Sequence, residues 1–333
     1  MRRRLGRTLG SVTVVALTVV SCGGGDSSEA GDDIDATTTS VDDADGSANP
    51  EDLRLDGHIV FSRAGGRFGD ETVFVANADG TDEQQLSDLG SACCPWVSRD
   101  GSTVLFASYA PGDRVTVESL ALDGTGRTVR PLPNETMNFG AGPFSPDGSH
   151  AALEGFDSAD SSLNGIYVGD IDGGEQRQIT HDGGIPGDWS PDGTLILFFR
   201  GPPGAPPAPG SLYVVQPDGL GERRLTPENV AVQCCSRWSP DGSRAAFADA
   251  DGVLWTISAD GSGLSELFRD TEGRYAITPT WSPDGTQVLF ALDPTPDPFA
   301  HPANGLYVID ADGTGLALVI GGDDFKRTPS WVP

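Results

Sequence analysis

One short string governs what this chain can fold into. Trp-Ser-Pro-Asp-Gly occurs whole at Trp189, Trp238 and Trp281, with variants at Trp96 and Phe144. Counted from Trp96, the steps are 48, 45, 49 and 43 residues. An apolar run follows each copy: Val104-Leu105-Phe106, Ala151-Ala152-Leu153, Leu195 to Phe198, Ala245-Ala246-Phe247 and Val288-Leu289-Phe290. A second strand-like run then leads into Asp-Gly or a close variant, at Asp123, Asp172, Asp218, Asp260 and Asp312. A last short run closes the unit, often as Ile179-Thr180 or Leu225-Thr226. Pro presets the second turn position and Gly accepts the positive φ a tight turn needs. Asp-Gly between apolar runs is a hairpin signal. Each unit is therefore four short strands in about 45 residues, the size of one propeller blade. With 45 Gly and 25 Pro in 333 residues, the chain is too turn-dense for a bundle of long helices.

The termini complete the count. Trp331-Val332-Pro333 stands 50 residues after Trp281, and Asp56-Gly57-His58-Ile59-Val60-Phe61 opens the repeat region. Joined end to start, they make one split motif. Val73 to Asn77, Asp79-Gly80 and Gln84 to Leu86 supply the rest of that unit. An all-β, six-bladed β-propeller is expected, with four antiparallel strands per blade and the last blade closed by both termini. Closure removes the open sheet edge that an array of five units would leave. The motif Trp is expected to pack between adjacent sheets. Blade 2 departs from the pattern, with Phe144 for Trp and a weak strand at Ala151-Ala152-Leu153.

These repeats resemble the PD40, or WD40-like, repeats of TolB-type six-bladed propellers, over residues 56–333. The resemblance implies an envelope protein that binds other proteins. Prolyl oligopeptidases carry similar repeats beside a hydrolase domain. No G-x-S-x-G elbow occurs here, and peptidase activity is not expected to carry over.

The N-terminus points to export. Arg2, Arg3, Arg4 and Arg7 precede an apolar run, Val12 to Val20, that is too short to span a bilayer. The run ends Val19-Val20-Ser21-Cys22, which resembles a bacterial lipobox and implies cleavage before Cys22 and lipidation of its thiol. Residues 1–21 are thus read as a signal peptide. Residues 22–55 are read as the lipidated Cys22 and a disordered linker, because residues 23–52 hold ten acidic residues, no Lys or Arg, and few large apolar ones. The expected location is the extracytoplasmic face of the cell membrane, held by the lipid alone.

The whole chain has 49 acidic and 21 basic residues, a net charge of −28. So acidic a surface repels phosphate, and nucleic acid is not an expected partner. The four His residues show no metal spacing, and no cofactor is expected. The Asp-x-Asp-Gly strings at Asp170, Asp249 and Asp310 are read as hairpin turns rather than Ca²⁺ ligands.

Strand order separates two faces. The Ser-Pro-Asp-Gly and Asp-Gly turns are short and share one face. The variable connections lie on the other: Ala64 to Asp70, Gly155 to Asn164, Gly201 to Gly210 and Asp293 to Asn304. Variable loops on a rigid scaffold are the usual place for recognition. Cys93-Cys94 and Cys234-Cys235 enter innermost strands there, on diametrically opposed blades. They form a candidate disulfide or ligand platform. Vicinal disulfides, cross-channel bridges, unbridged thiols and a metal site all remain open. Asp188, Arg200 and Arg237 are the candidate binding-face residues. The expected function is non-catalytic binding of an envelope protein or peptide by a monomer. The alternative is an oxidoreductase or lyase with its site at the channel mouth near the cysteines.

Overall fold

A computed structural model describes residues 55–64, 71–88, 90, 92–110, 114–130, 137–157, 159–172, 176–202, 209–295 and 304–333. The signal segment, Cys22 and the acidic linker up to residue 54 lie outside the described residues, as do 65–70, 203–208 and 296–303 of the variable connections; Leu55, the last linker residue, packs against the core beside Ile59 and Trp331. Among the described residues, no helix is long and apolar enough to cross a membrane.

The described strands form six four-stranded antiparallel sheets. Blade 1 runs, from the axis outward, Ala92–Val97, Thr103–Ala110, Arg114–Ala121 and Thr128–Val129. Blade 2 follows with Asn138–Gly140, His150–Phe156, Gly165–Asp170 and Gln176–Gln178. Blade 3 holds Ile185–Trp189, Ile196–Arg200, Ser211–Val215 and Arg223–Arg224. Blade 4 holds Arg237–Trp238, Arg244–Ala248, Leu254–Ser258 and Ser265–Phe268. Blade 5 holds Tyr275–Trp281, Gln287–Asp293, Gly305–Asp310 and Ala317–Ile320. Blade 6 takes its innermost strand, Phe325–Val332, from the C-terminus and pairs it with His58–Ala64, Glu71–Asn77 and Gln84–Gln85. The expected fold and its closure are both found.

The repeated motif builds each inner turn in one way. In blade 5, Ser282 Oγ donates to Asp284 Oδ1 at 2.7 Å, and the Thr286 N–H donates to the same oxygen at 3.0 Å. Ser282 Oγ in turn accepts from the Gln287 N–H at 2.9 Å. Gly285 supplies φ +73°. The same Ser–Asp pair recurs at Ser98–Asp100, Ser145–Asp147, Ser190–Asp192 and Ser239–Asp241. The aspartate is consumed by its own turn. Among the described residues, no group of acidic, His or Cys side chains is arranged to hold a metal.

Apolar seams between sheets hold the ring together. Phe61, Phe106, Phe198, Phe247 and Phe290, one from the second strand of each blade except blade 2, are fully buried. Trp189, Trp238, Trp281 and Trp331 are 4–7% exposed and Phe144 is 8% exposed. They are the expected wedges. Trp96 departs from that expectation. Blade 1 reads Trp96-Val97-Ser98 where blade 5 reads Trp281-Ser282, one residue longer. The ladder pairs Val97 with Val104 as it pairs Trp281 with Val288, so Val97 takes the wedge position. Trp96, paired with Leu105, falls one place earlier. In a strand that one-residue offset turns the side chain to the other face.

Blade 6 also buries charge. Arg327 and Glu71 are 3% and 1% exposed and form an ion pair. Lys326, fully buried, pairs with Asp324 and donates to its carbonyl at 3.3 Å. Asn304 Nδ2 donates to the Lys326 carbonyl at 2.9 Å. Buried charges need this density of partners, because desolvation is otherwise uncompensated.

Candidate functional site

The residue just before each wedge position faces the ring axis. Going round from blade 1, these are Trp96, Pro143, Asp188, Arg237, Thr280 and Ser330. All six line a cavity of about 190 Å³, open at the short-turn face, whose walls include the inner turns. A second cavity of about 40 Å³ lies deeper on the axis, where Cys94, Glu154, Cys235, Thr278 and Thr328 meet. Trp96 and Arg237 line both.

Two of the three candidate binding residues meet there, on the face opposite to the variable loops. The Arg237 guanidinium lies 3.5 Å from the Trp96 ring centroid, and its Nη1 donates to the Gly187 carbonyl at 2.7 Å. Asp188 accepts the N–H groups of Trp189 and Trp238, each at 2.8 Å. The second bond ties blade 3 to blade 4. Burial pushes the Asp188 carboxyl up to about 6, against the opposing pull of Arg237 and those two N–H groups. Arg200 stands apart. It ends the second strand of blade 3, pairs with Glu222 at 2.5 Å, and lies over Phe198 and Tyr213. Its sequence signal, a lone Arg closing an apolar run, does not distinguish a packed surface arginine from a site residue.

The cysteines flank the deeper cavity. Cys234 and Cys235 form a vicinal disulfide. The Cys93 and Cys94 sulfurs lie 2.7 Å apart. Cys93 Sγ also contacts the Tyr109 hydroxyl at 3.1 Å. Cys94 and Cys235 occupy the same bulge position as Thr278 and Thr328, and all four have φ between 49° and 59°. A β-bulge explains this, since the ladder skips between Cys93 and Trp96 and between Ile277 and Thr280. The N–H groups released by the bulge are reused between blades. The Thr328 N–H donates to Thr278 Oγ1 at 3.2 Å, and the Cys94 N–H donates to Ser62 Oγ at 3.0 Å. Positive φ is uncommon outside Gly, and this belt holds it in place.

Glu154 is the channel residue that sequence reasoning overlooked. Its signal was present: Glu154 occupies the second-strand place held by Ala107, Phe199, Ala248, Ala291 and Ser62 in the other blades. A carboxylate in a repeat position that is otherwise small or apolar is the informative departure.

The carboxylates give a pH profile. Hydrogen bonds from the turn Ser residues hold Asp100, Asp147, Asp192, Asp241 and Asp284 below the usual carboxylate range. Their contribution is present above about pH 4 and is lost as the pH falls through the depressed values. Asp188 works the other way. The folded form binds its proton more tightly, so stability falls as the pH rises from about 4 to about 6. The thermal midpoint is therefore expected to peak near pH 5, as the two effects cross. Calorimetry from pH 3 to 8 reads this directly, and a midpoint that climbs steadily to pH 7 would contradict it.

Three comparisons place these features among known proteins. Residues 56–333 match the PD40 family, described as the TolB beta propeller domain. The Tol-Pal system protein TolB of Anaeromyxobacter dehalogenans is 33% identical over 121 residues, which is 35% of this chain and 26% of that protein. The putative tricorn protease homolog 2 of Streptomyces coelicolor is 34% identical over 151 residues, 43% of this chain and 11% of that one. These matches thus span about a quarter and a tenth of the relatives' own lengths. Among solved structures, TolB from Acinetobacter baumannii superposes with a TM-score of 0.68 at 19% identity, covering 84% of this chain and 67% of the other. At that identity the likeness is one of fold.

Proposed function

Because this chain belongs to the family of TolB beta propeller domains, matched from residue 56 to residue 333, we propose that it is a non-catalytic binding protein of the cell envelope. It takes a segment of a protein partner into the short-turn mouth of its channel. The observation that carries this reading is the outer cavity, lined from all six blades. It offers the Trp96 ring, two arginines (Arg99 and Arg237) and the Asp188 carboxylate within about 190 Å³. That is the space of about six waters, enough for one or two side chains. An aromatic beside an arginine in a concave site is the usual make-up of an interface hot spot. TolB relatives named for the Tol-Pal system support an envelope setting. The remaining parts of the reading come from the sequence: residues 1–21 direct export, Cys22 carries the lipid, residues 22–55 are a spacer, and the propeller acts as a monomer.

Cross-linking in intact cells, followed by capture from detergent-solubilised envelopes, tests the proposal. The full chain should retain a partner that the chain lacking residues 56–333 does not. Trp96→Ala should reduce that capture on the order of tenfold or more. Equal capture by full-length, truncated and Trp96→Ala chains would remove the channel mouth as the site. In the same cells, Cys22→Ser should release the processed domain from the membrane. Its retention with an uncleaved signal would mean that the apolar run is the anchor.

A further inference from the structure

The deeper cavity contains an acceptor with nothing to accept. Glu154 is 9% exposed, lines that cavity, and has no hydrogen-bond or ionic partner among the described residues. Buried charges in folded proteins are paired, so an unpaired carboxyl facing a void is a departure that calls for a partner from outside. The blade is built around it. The ladder places Gly140 opposite Glu154, where the corresponding partners on blades 1, 3 and 5 are Cys93, Ile185 and Ile277. A Cβ on Gly140 would lie 3.2 Å from Glu154 Oε2. The missing side chain therefore leaves room for the carboxylate. Ala141 and Pro186 complete the wall on that side.

Size and surroundings narrow the ligand chemistry. The cavity is about 40 Å³, close to the volume of one water at about 30 Å³. A primary ammonium head is compact and brings three donors to the carboxylate and the hydroxyls beside it. The neighbouring threonines, Thr278 and Thr328, line the same space and carry hydroxyl oxygens. The prolines Pro95, Pro279 and Pro329 lend it apolar walls suited to an alkyl stem. The chain as a whole carries −28, so its field draws in a basic partner.

We propose that Glu154 receives the side-chain ammonium of a lysine on the partner segment, with that lysine's stem threading the channel beside Trp96. The proposal rests on the peptide-binding reading above and adds the chemical identity of the inserted residue. Arg237 does not compete for the carboxylate, since it is held by the Gly187 carbonyl and the Trp96 ring. Burial pushes the Glu154 carboxyl well above the usual range, as expected for an acid whose counter-charge arrives with the ligand.

The test is selection from a random heptapeptide display library on the Cys22→Ser chain, in parallel with the same chain carrying Glu154→Gln. Wild-type channel sequence should enrich Lys at one position over Arg, Leu and Glu, and Glu154→Gln should lose that enrichment. A selected peptide is then measured by calorimetry beside its Lys→norleucine form. The substitution should weaken binding at least tenfold on Glu154 and less than twofold on Glu154→Gln. The norleucine arm uses the unaltered protein, so it reads even if Glu154→Gln fails to fold. Selected peptides without Lys enrichment, or an equal norleucine loss on both proteins, would overturn the lysine assignment and leave peptide binding standing. If no peptide is selected by either protein, both readings fall.

Discussion

Replacing Trp331 with Ala is expected to cost about 3–5 kcal/mol, the range for removing a large buried aromatic. Trp331 lies two residues from the C-terminus, yet it is 7% exposed and packs with Ile59, Leu289 and Leu306. Its strand pairs with His58–Ala64, with Trp331 opposite Ile59. Its Nε1 donates to the Asp56 carbonyl at 2.9 Å, which ties the two ends of the domain together. For a domain of this size the loss corresponds to a fall in thermal midpoint on the order of 10 °C. Deleting Pro329 to Pro333 should go further. It bares part of the ladder edge of His58–Ala64, which is then open to pairing with another chain. The deletion is expected to lower the midpoint and to raise the oligomer size measured by light scattering. Gly57 offers a second check. Its φ is +94°, and a Cβ there would sit 2.0 Å from the Val332 carbonyl oxygen. Gly57→Ala should therefore also loosen the closure. A truncated chain that melts at the wild-type temperature and stays monomeric would show that the termini do not hold the ring.

Arg327→Met is expected to cost a further about 3–5 kcal/mol, for a different reason. Glu71 would remain fully buried with its counter-charge gone. The loss is chiefly the penalty of that stranded carboxylate, since a buried pair often does little better than well-packed apolar residues. The double substitution Glu71→Leu with Arg327→Met should then recover most of the loss. Urea denaturation of the two single variants and the double variant forms the cycle. A double variant as unstable as Arg327→Met would mean that packing of the arginine stem, not charge, carries the effect. The pair sits in the closing blade, so this result also reports on how that blade is held.

Much of the architecture was legible because a repeat states its design several times. Ser-Pro-Asp-Gly recurs since each inner turn needs the same Asp acceptor and the same glycine at positive φ. Trp331-Val332-Pro333 and Asp56-Gly57 could be matched as halves of one unit for the same reason. Legibility failed where one copy differs from the rest. Trp96 looks like a wedge in the linear string, and only the ladder shows that the extra residue hands that place to Val97. The variable-loop face drew attention by its loops, yet the larger described cavity opens on the opposite face, where Asp188 and Arg237 converge. Arg200 carried the same kind of signal and lies elsewhere.

The sequence by itself determined the strand count, the turn chemistry, the closure of the ring and the acidic character of the chain. These follow from local rules: short apolar runs, turn residues, and charge. The tertiary structure decided what faces the axis. Six residues far apart in the chain become neighbours only when six sheets are set radially, and in blades 1, 3, 5 and 6 a register shift in the inner ladder also sets which way the side chains point. It also decided that Glu154 lies buried with no partner among the described residues, because that depends on Gly140 across the ladder and on Pro186 from the next blade. Burial and pairing are properties of three-dimensional neighbours, which no linear spacing encodes.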